Sequence, residues 1–312
     1  MIENLSAFFI IIALGVLFQI IKPGNIDADT ARHTINTLVI KFMLPALCFR
    51  VISTMRIDRD TFLFPLSAIL TVFAILIIAY FLITIAGKFI HIRKKQKGAL
   101  ILTSAFGNVT FFGLPILMTL YGPEAEKYPL MYDIMGAGSL LWIIGTPLAS
   151  YYGGVKKFSF KESIKNLFST PPLWAMVLAF LANILGLGVK TPYFILKVLE
   201  MMSAPVIPLM IFSVGLTLKI PHIKHIVIAM PSVLIKLIIS PLIAFVITRF
   251  LGMSGIAMQA SIMEASLPVM IMTLALCSQY KLDHRLAAIV TIISIVFSFI
   301  TIPITAALVA GL

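Results

Sequence analysis

Ten runs of mostly apolar residues fill nearly the whole chain: 5–21, 34–53, 62–87, 97–120, 130–152, 171–189, 193–218, 226–250, 254–279 and 284–309. A run of roughly 20 such residues matches the hydrocarbon core of a bilayer. Lipid offers no partner to a bare amide or carbonyl, so each run must satisfy its own backbone as a helix. The expected fold is an all-α polytopic membrane protein with ten transmembrane helices. Composition agrees: of 312 residues, 60% are hydrophobic and 12% charged, against about half and a quarter in soluble domains.

The net charge of +12 is no sign of nucleic acid. The basic residues lie in short loops between apolar runs, with no aromatic platform beside them. They serve as a topology signal instead. With the N-terminus outside, the inner loops hold Lys22 and Arg32; Lys88, Arg93, Lys94, Lys95 and Lys97; Lys156, Lys157, Lys161 and Lys165; Lys219 and Lys224; Lys281 and Arg285. The outer loops hold Arg56, Arg59, Lys127, Lys190, Lys197 and Arg249, which is 15 basic residues against 6. Both termini are therefore expected outside a cell (plasma or inner) membrane. Glu3 and the lack of an early basic residue make run 1 a retained span rather than a signal peptide. Cys48 and Cys277 fall within apolar runs and fit no metal or redox pattern. His33, His91, His222, His225 and His284 lie in or beside loops without metal-site spacing. No cofactor is expected.

The two halves, 1–152 and 171–312, flank a basic linker, 153–170, expected to be cytoplasmic. Leu114-Pro115-Ile116-Leu117 in span 4 resembles Leu267-Pro268-Val269-Met270 in span 9, with prolines 153 residues apart. Pro45 and Pro205 differ by 160, and Pro147 and Pro303 by 156. Three similar offsets point to two five-helix repeats. Five spans per half make the repeats inverted, an arrangement that lets two similar units open one central site to either face.

Spans 4 and 9 carry helix breakers beside polar residues: Gly107-Asn108-Val109-Thr110 through Gly113-Leu114-Pro115, and Glu264-Ala265-Ser266-Leu267-Pro268. Proline lacks an amide hydrogen and crowds the preceding turn. Asn108 and Glu264 each lie about 10 residues into their span, roughly 15 Å deep at 1.5 Å per residue, near the bilayer midplane. Two broken helices crossing there aim half-helix ends at one point. The candidate substrate site is Asn108, Thr110, Pro115, Ser266 and Pro268. Buried charge costs on the order of 3 kcal/mol or more, so a midplane Glu264 needs a proton or a cation, or a permanent partner in Lys236. Lys41 and Asp133 are further candidate charge partners, and Arg50 sits near the outer end of span 2.

At these residues the chain resembles the auxin efflux carrier family. The resemblance also rests on Leu44-Pro45-Ala46-Leu47, Ala204-Pro205 before Gly215-Leu216, and Lys236-Leu237 before Pro241-Leu242. It implies a scaffold of helices 1, 2, 6 and 7, generally dimerising, and a transport domain of helices 3–5 and 8–10 with helices 4 and 9 crossing. It also implies small organic anion substrates, dicarboxylates or auxin-like carboxylates. The crossover is similar to that of the bile acid:sodium symporters, which implies a possible sodium at Asn108 and Glu264. Pro268 stands where that family has a glutamine ligand, and span 3 has no Gln, so proton and sodium coupling both stay open.

The function expected is secondary active transport of a small organic anion by elevator-type alternating access, in a homodimer embedded in a lipid bilayer. A channel of the same fold and an intramembrane enzyme are the alternatives. The enzyme would need a nucleophile and base, or a metal cluster, inside a span, and no histidine lies deep in one.

Overall fold

The computed structural model describes residues 2–154, 159–188, 190–218 and 226–312. Lys156, Lys157, Lys219, Lys224, His222 and His225 of the loop argument, and the end of run 6 at Val189, lie outside the described residues. Those residues are almost entirely helical and form no strand. Among the described residues, six helices are long and apolar enough to cross a membrane: Ala28–Ile52, Arg59–Phe89, Pro123–Gly153, Tyr193–Gly215, Ile226–Phe250 and His284–Val309. A bent pair, Phe160–Phe168 and Pro171–Ile184, makes a seventh if taken as one span, with a bend of 61°. Runs 97–120 and 254–279 each divide into two shorter helices, Lys94–Ala105 with Val109–Tyr121, and Gly255–Ala265 with Met272–Gln279.

Arg59–Phe89 shows why these helices suit lipid. Asp58 starts it with a capping box, its side chain accepting from Thr61 N at 3.0 Å. Phe64, Ala68, Val72, Ile75 and Ala79 are buried on one face, while Phe62, Phe73, Ile77, Phe81 and Ile85 are exposed on the other. An apolar face at helical spacing with no protein cover matches a lipid solvent rather than water.

Four prolines share one local device. Pro45, Pro115, Pro147 and Pro241 each stand two residues after a π-helical turn: Val39–Met43, Val109–Gly113, Leu141–Gly145 and Ile235–Ile239. The wider turn absorbs the carbonyl that a proline leaves without its amide. These prolines therefore bulge their helices without ending them. Pro65, Pro231 and Pro303 lie within α-helix. The only proline of the two proposed crossing segments that lies in a true gap is Pro268, between Ala265 and Met272.

The chain forms two compact units. The first comprises Met1–Ile57, Leu114–Leu130 and Lys165–Lys219. Within it, helix Ile2–Ile21 packs on Val206–Gly215, where the Gly15 and Gly215 backbones meet, as small residues allow between membrane helices. Gln19 Nε2 donates to Gly215 O and Leu218 O, both at 2.8 Å. Asn183 Nδ2 donates to Ile52 O at 2.7 Å and Met55 O at 2.8 Å, tying Pro171–Ile184 to Leu44–Ile52. Arg50 pairs with Glu126 at 2.6 Å. A methyl at Gly215 would press on the Ile12 carbonyl and lie 2.8 Å from the Gly15 Cα. Gly215→Val is accordingly expected to lower stability by about 1–3 kcal/mol, the usual cost of overpacking. A melting temperature equal to that of the native protein would show that the contact is slack.

The second unit comprises Asp58–Gly113, Met131–Ile164 and Ile220–Leu312. Its helices are pinned by buried hydroxyls: Ser67 to Ser261 at 2.8 Å, and Thr103 and Ser104 to Ser232 at 2.8 and 3.0 Å. Such bonds hold helices where hydrophobic burial supplies little between them.

Candidate functional site

Both gaps lie in the second unit, and they pair with each other. Asn108 N donates to Pro268 O at 2.7 Å, and Met270 N donates to Phe106 O at 2.9 Å. Gly107 and Val269 thereby form an antiparallel bridge between two otherwise helical segments. Pro268 has no amide of its own to place, and its carbonyl takes the Asn108 amide. Val269 N finds Ser294 Oγ at 3.0 Å on helix His284–Val309. These backbone groups beside the two breaks are thus met inside the protein, as membrane depth demands. Helices Lys94–Ala105 and Gly255–Ala265 end at the bridge, while Val109–Tyr121 and Met272–Gln279 begin there.

Side chains gather around it. Glu264 is 1% exposed and Asn108 3%. Neither carboxylate oxygen of Glu264 has a hydrogen-bond partner, and neither does Asn108 Nδ2. Lys236, also buried, does not form the ion pair with Glu264 that the sequence left open. Its Nζ donates to Ala265 O at 2.8 Å and lies 3.5 Å from Ser240 Oγ. The reason is local: Ala265 ends its helix, so its carbonyl has lost its intrahelical partner, and an ammonium at a helix C-terminus meets the negative end of the dipole.

Thr110 Oγ1 donates to Asp133 Oδ2. Both residues sit on π turns, Val109–Gly113 and Tyr132–Ala137. Asp133 and Lys236 both act electrostatically on Glu264. Ser266 is buried, with its hydroxyl donating to Met263 O at 2.7 Å. The second unit therefore collects Asn108, Thr110, Asp133, Lys236, Glu264, Ser266 and Pro268. Pro115 and an exposed Lys41 belong to the first unit; the chain passes between units at Gly113 and Leu114. Sequence reasoning missed two partners here. One is the Ala265 carbonyl, which has no side-chain signature. The other is Gly113, whose Cα faces the Glu264 carboxylate.

Two unbonded carboxylate oxygens fit a proton or a small monovalent cation. Among the described residues no three His, Cys, Asp or Glu side chains gather as a metal cluster. Several helices long and apolar enough to cross a bilayer mark a multi-pass α-helical membrane protein. Residues 1–306 match the membrane transport protein family, and the chain belongs to this auxin efflux carrier-like family. It is similar to an uncharacterized transporter of Methanocaldococcus jannaschii, 29% identical over 303 residues, with 96% of each chain covered. An uncharacterized transporter of Methanothermobacter thermautotrophicus is 27% identical over 310 residues, again with 96% of each chain covered.

Proposed function

We propose that the protein is a secondary active transporter of a small organic anion, a dicarboxylate or an auxin-like carboxylate, coupled to a proton or sodium ion. The observation that carries this reading is the bridge at Asn108 and Pro268. Two helices start beside it, and helix starts attract anions. The Lys236 ammonium adds positive charge nearby. Asn108, Thr110, Ser266 and Pro268, all in the second unit, are the proposed substrate contacts. Glu264, with Asn108, is the proposed coupling group, and Lys236 and Asp133 set the surrounding charge.

In this reading the chain has ten spans in two inverted repeats, which the proline offsets and the antiparallel pairing of the two gaps support. The first unit serves as a dimerising scaffold and the second as the moving part of an elevator. The transport family to which the chain belongs favours this reading over an intramembrane enzyme.

Purified protein should melt at a higher temperature with succinate or with indole-3-acetate, but not with both neutralised as esters. Proteoliposomes preloaded with the stabilising compound should show counterflow of the same labelled compound. Uptake that never saturates and shows no counterflow would identify a channel instead. Both termini are proposed to lie outside the cell membrane. His91→Cys and Lys161→Cys, made in a background lacking Cys48 and Cys277, should resist an impermeant maleimide in intact cells and react after permeabilisation. Labelling of either in intact cells would reverse the orientation.

A further inference from the structure

We propose that Gly113 is a socket that seats the Glu264 carboxylate when its charge is neutralised, making Gly113 a positioning residue for cation coupling. This rests on the reading of Glu264 as the coupling group. Gly113 closes the π turn Val109–Gly113 and is buried. Its backbone is not in the left-handed region that demands glycine, so conformational freedom does not explain the residue. Space does. A methyl group at this position would overlap both Glu264 carboxylate oxygens and lie 2.6 Å from its Cδ. No other atom is as close to that point. The carboxylate thus lies flat against the one residue type that leaves it room.

The seat offers contact and no hydrogen bond. Both oxygens are buried and unbonded there, which suits a neutral carboxyl or one holding a cation and penalises a bare charge. A donor waits in the same crossing: Asn108 Nδ2 is also buried and unbonded. The ionisable groups that face Glu264 are Lys236 from helix Ile226–Phe250 and Tyr132 and Asp133 from the turn Tyr132–Ala137. Lys236 is engaged by Ala265 O and Asp133 by Thr110. The hydroxyls of Ser67 and Ser294, on helices Arg59–Phe89 and His284–Val309, are engaged elsewhere, by Ser261 and by Val269 N. The structure holds the Glu264 carboxylate against Gly113, and a side chain at 113 would remove that seat.

The test follows the melting temperature of purified Gly113→Ala, Glu264→Gln, Glu264→Asp and the double variant Gly113→Ala/Glu264→Asp against proton and sodium concentration. Infrared difference spectra report the protonated-carboxyl band of Glu264, which Glu264→Gln identifies. Gly113→Ala is expected to fold, because the overlapping atoms are the end of a flexible side chain, and to lower cation affinity about tenfold or more, the effect of one unit of differential interaction. Glu264→Asp is one methylene shorter and should withdraw from the new methyl, so the double variant should bind cations better than Gly113→Ala alone. That rescue is the non-additivity expected of touching residues. If Gly113→Ala keeps the native cation dependence, or if the double variant is no better than the sum of the singles, the socket is wrong. A Gly113→Ala protein that neither folds nor is rescued also overturns it. Should Glu264→Gln retain the native dependence, the coupling reading itself fails, a separate result.

Discussion

Glu264→Gln is expected to fold, bind the substrate anion and carry out exchange, yet lose the pH or sodium dependence of net transport. Glutamine copies the shape of the protonated acid and cannot ionise. The structure removes the main reason to expect misfolding. Lys236 bonds to Ala265 O rather than to Glu264, so the substitution strands no ammonium. A broken buried pair would cost about 3–5 kcal/mol. An amide left without a partner beside Gly113 costs about 1–3 kcal/mol at most, part of it offset by losing a carboxylate that has no donor now. Gradient-driven accumulation should fall to the level set by exchange alone. Melting temperature and proteoliposome uptake, measured on the same preparation, check both halves of the statement. A well-folded Gln variant whose uptake still follows the proton or sodium gradient would sink the coupling role.

Much of the helical layout was legible because it depends on local pattern. Runs 226–250 and 284–309 coincide with helices Ile226–Phe250 and His284–Val309, the second capped by Asp283 accepting from Leu286 N. The gaps were legible for the same reason: Gly107-Asn108 and Ser266-Leu267-Pro268 put breakers next to polar groups. What the sequence did not reveal was how each proline is accommodated. Pro115 and Pro268 look alike in sequence. Pro115 follows a π turn within a continuing helix, whereas Pro268 lies in the gap and lends its carbonyl to Asn108 N. The difference is set by the partner segment at Gly107-Asn108, which no local pattern encodes. The partner of Lys236 was hidden for a related reason. Charge pairing suggested Glu264, but a helix-end carbonyl, which every residue type carries, took the ammonium. Gly113 stood in a recognised motif, yet its contact with Glu264 joins positions 151 residues apart.

Lys236→Met should weaken both the fold and anion binding, and the two effects have separate causes. Lys236 is 2% exposed, and its Nζ is the side-chain donor to Ala265 O. Methionine keeps most of the volume beside Gly107, where the lysine end lies 2.9 Å from the point a methyl would occupy. It supplies no donor, so the last carbonyl of helix Gly255–Ala265 is left unpaired at about 1–3 kcal/mol. Removing an expensive buried charge offsets part of this, so the net loss of stability should fall at the lower end. Anion binding has no such offset. With the ammonium gone, no positive side chain remains among the ionisable groups around Glu264, and an incoming carboxylate loses its attraction. The interaction of a charged group in such a site is worth about 1.5–3 kcal/mol, a roughly 10- to 100-fold loss of affinity. Lys236→Arg should not restore it, since a planar guanidinium is larger than the space beside Gly107 and bonds in a different geometry. The measurement is the concentration of succinate or indole-3-acetate that half-saturates the rise in melting temperature, compared between the native protein and both variants. A methionine variant with native half-saturation would place the anion away from Lys236 and leave the lysine with the helix end alone.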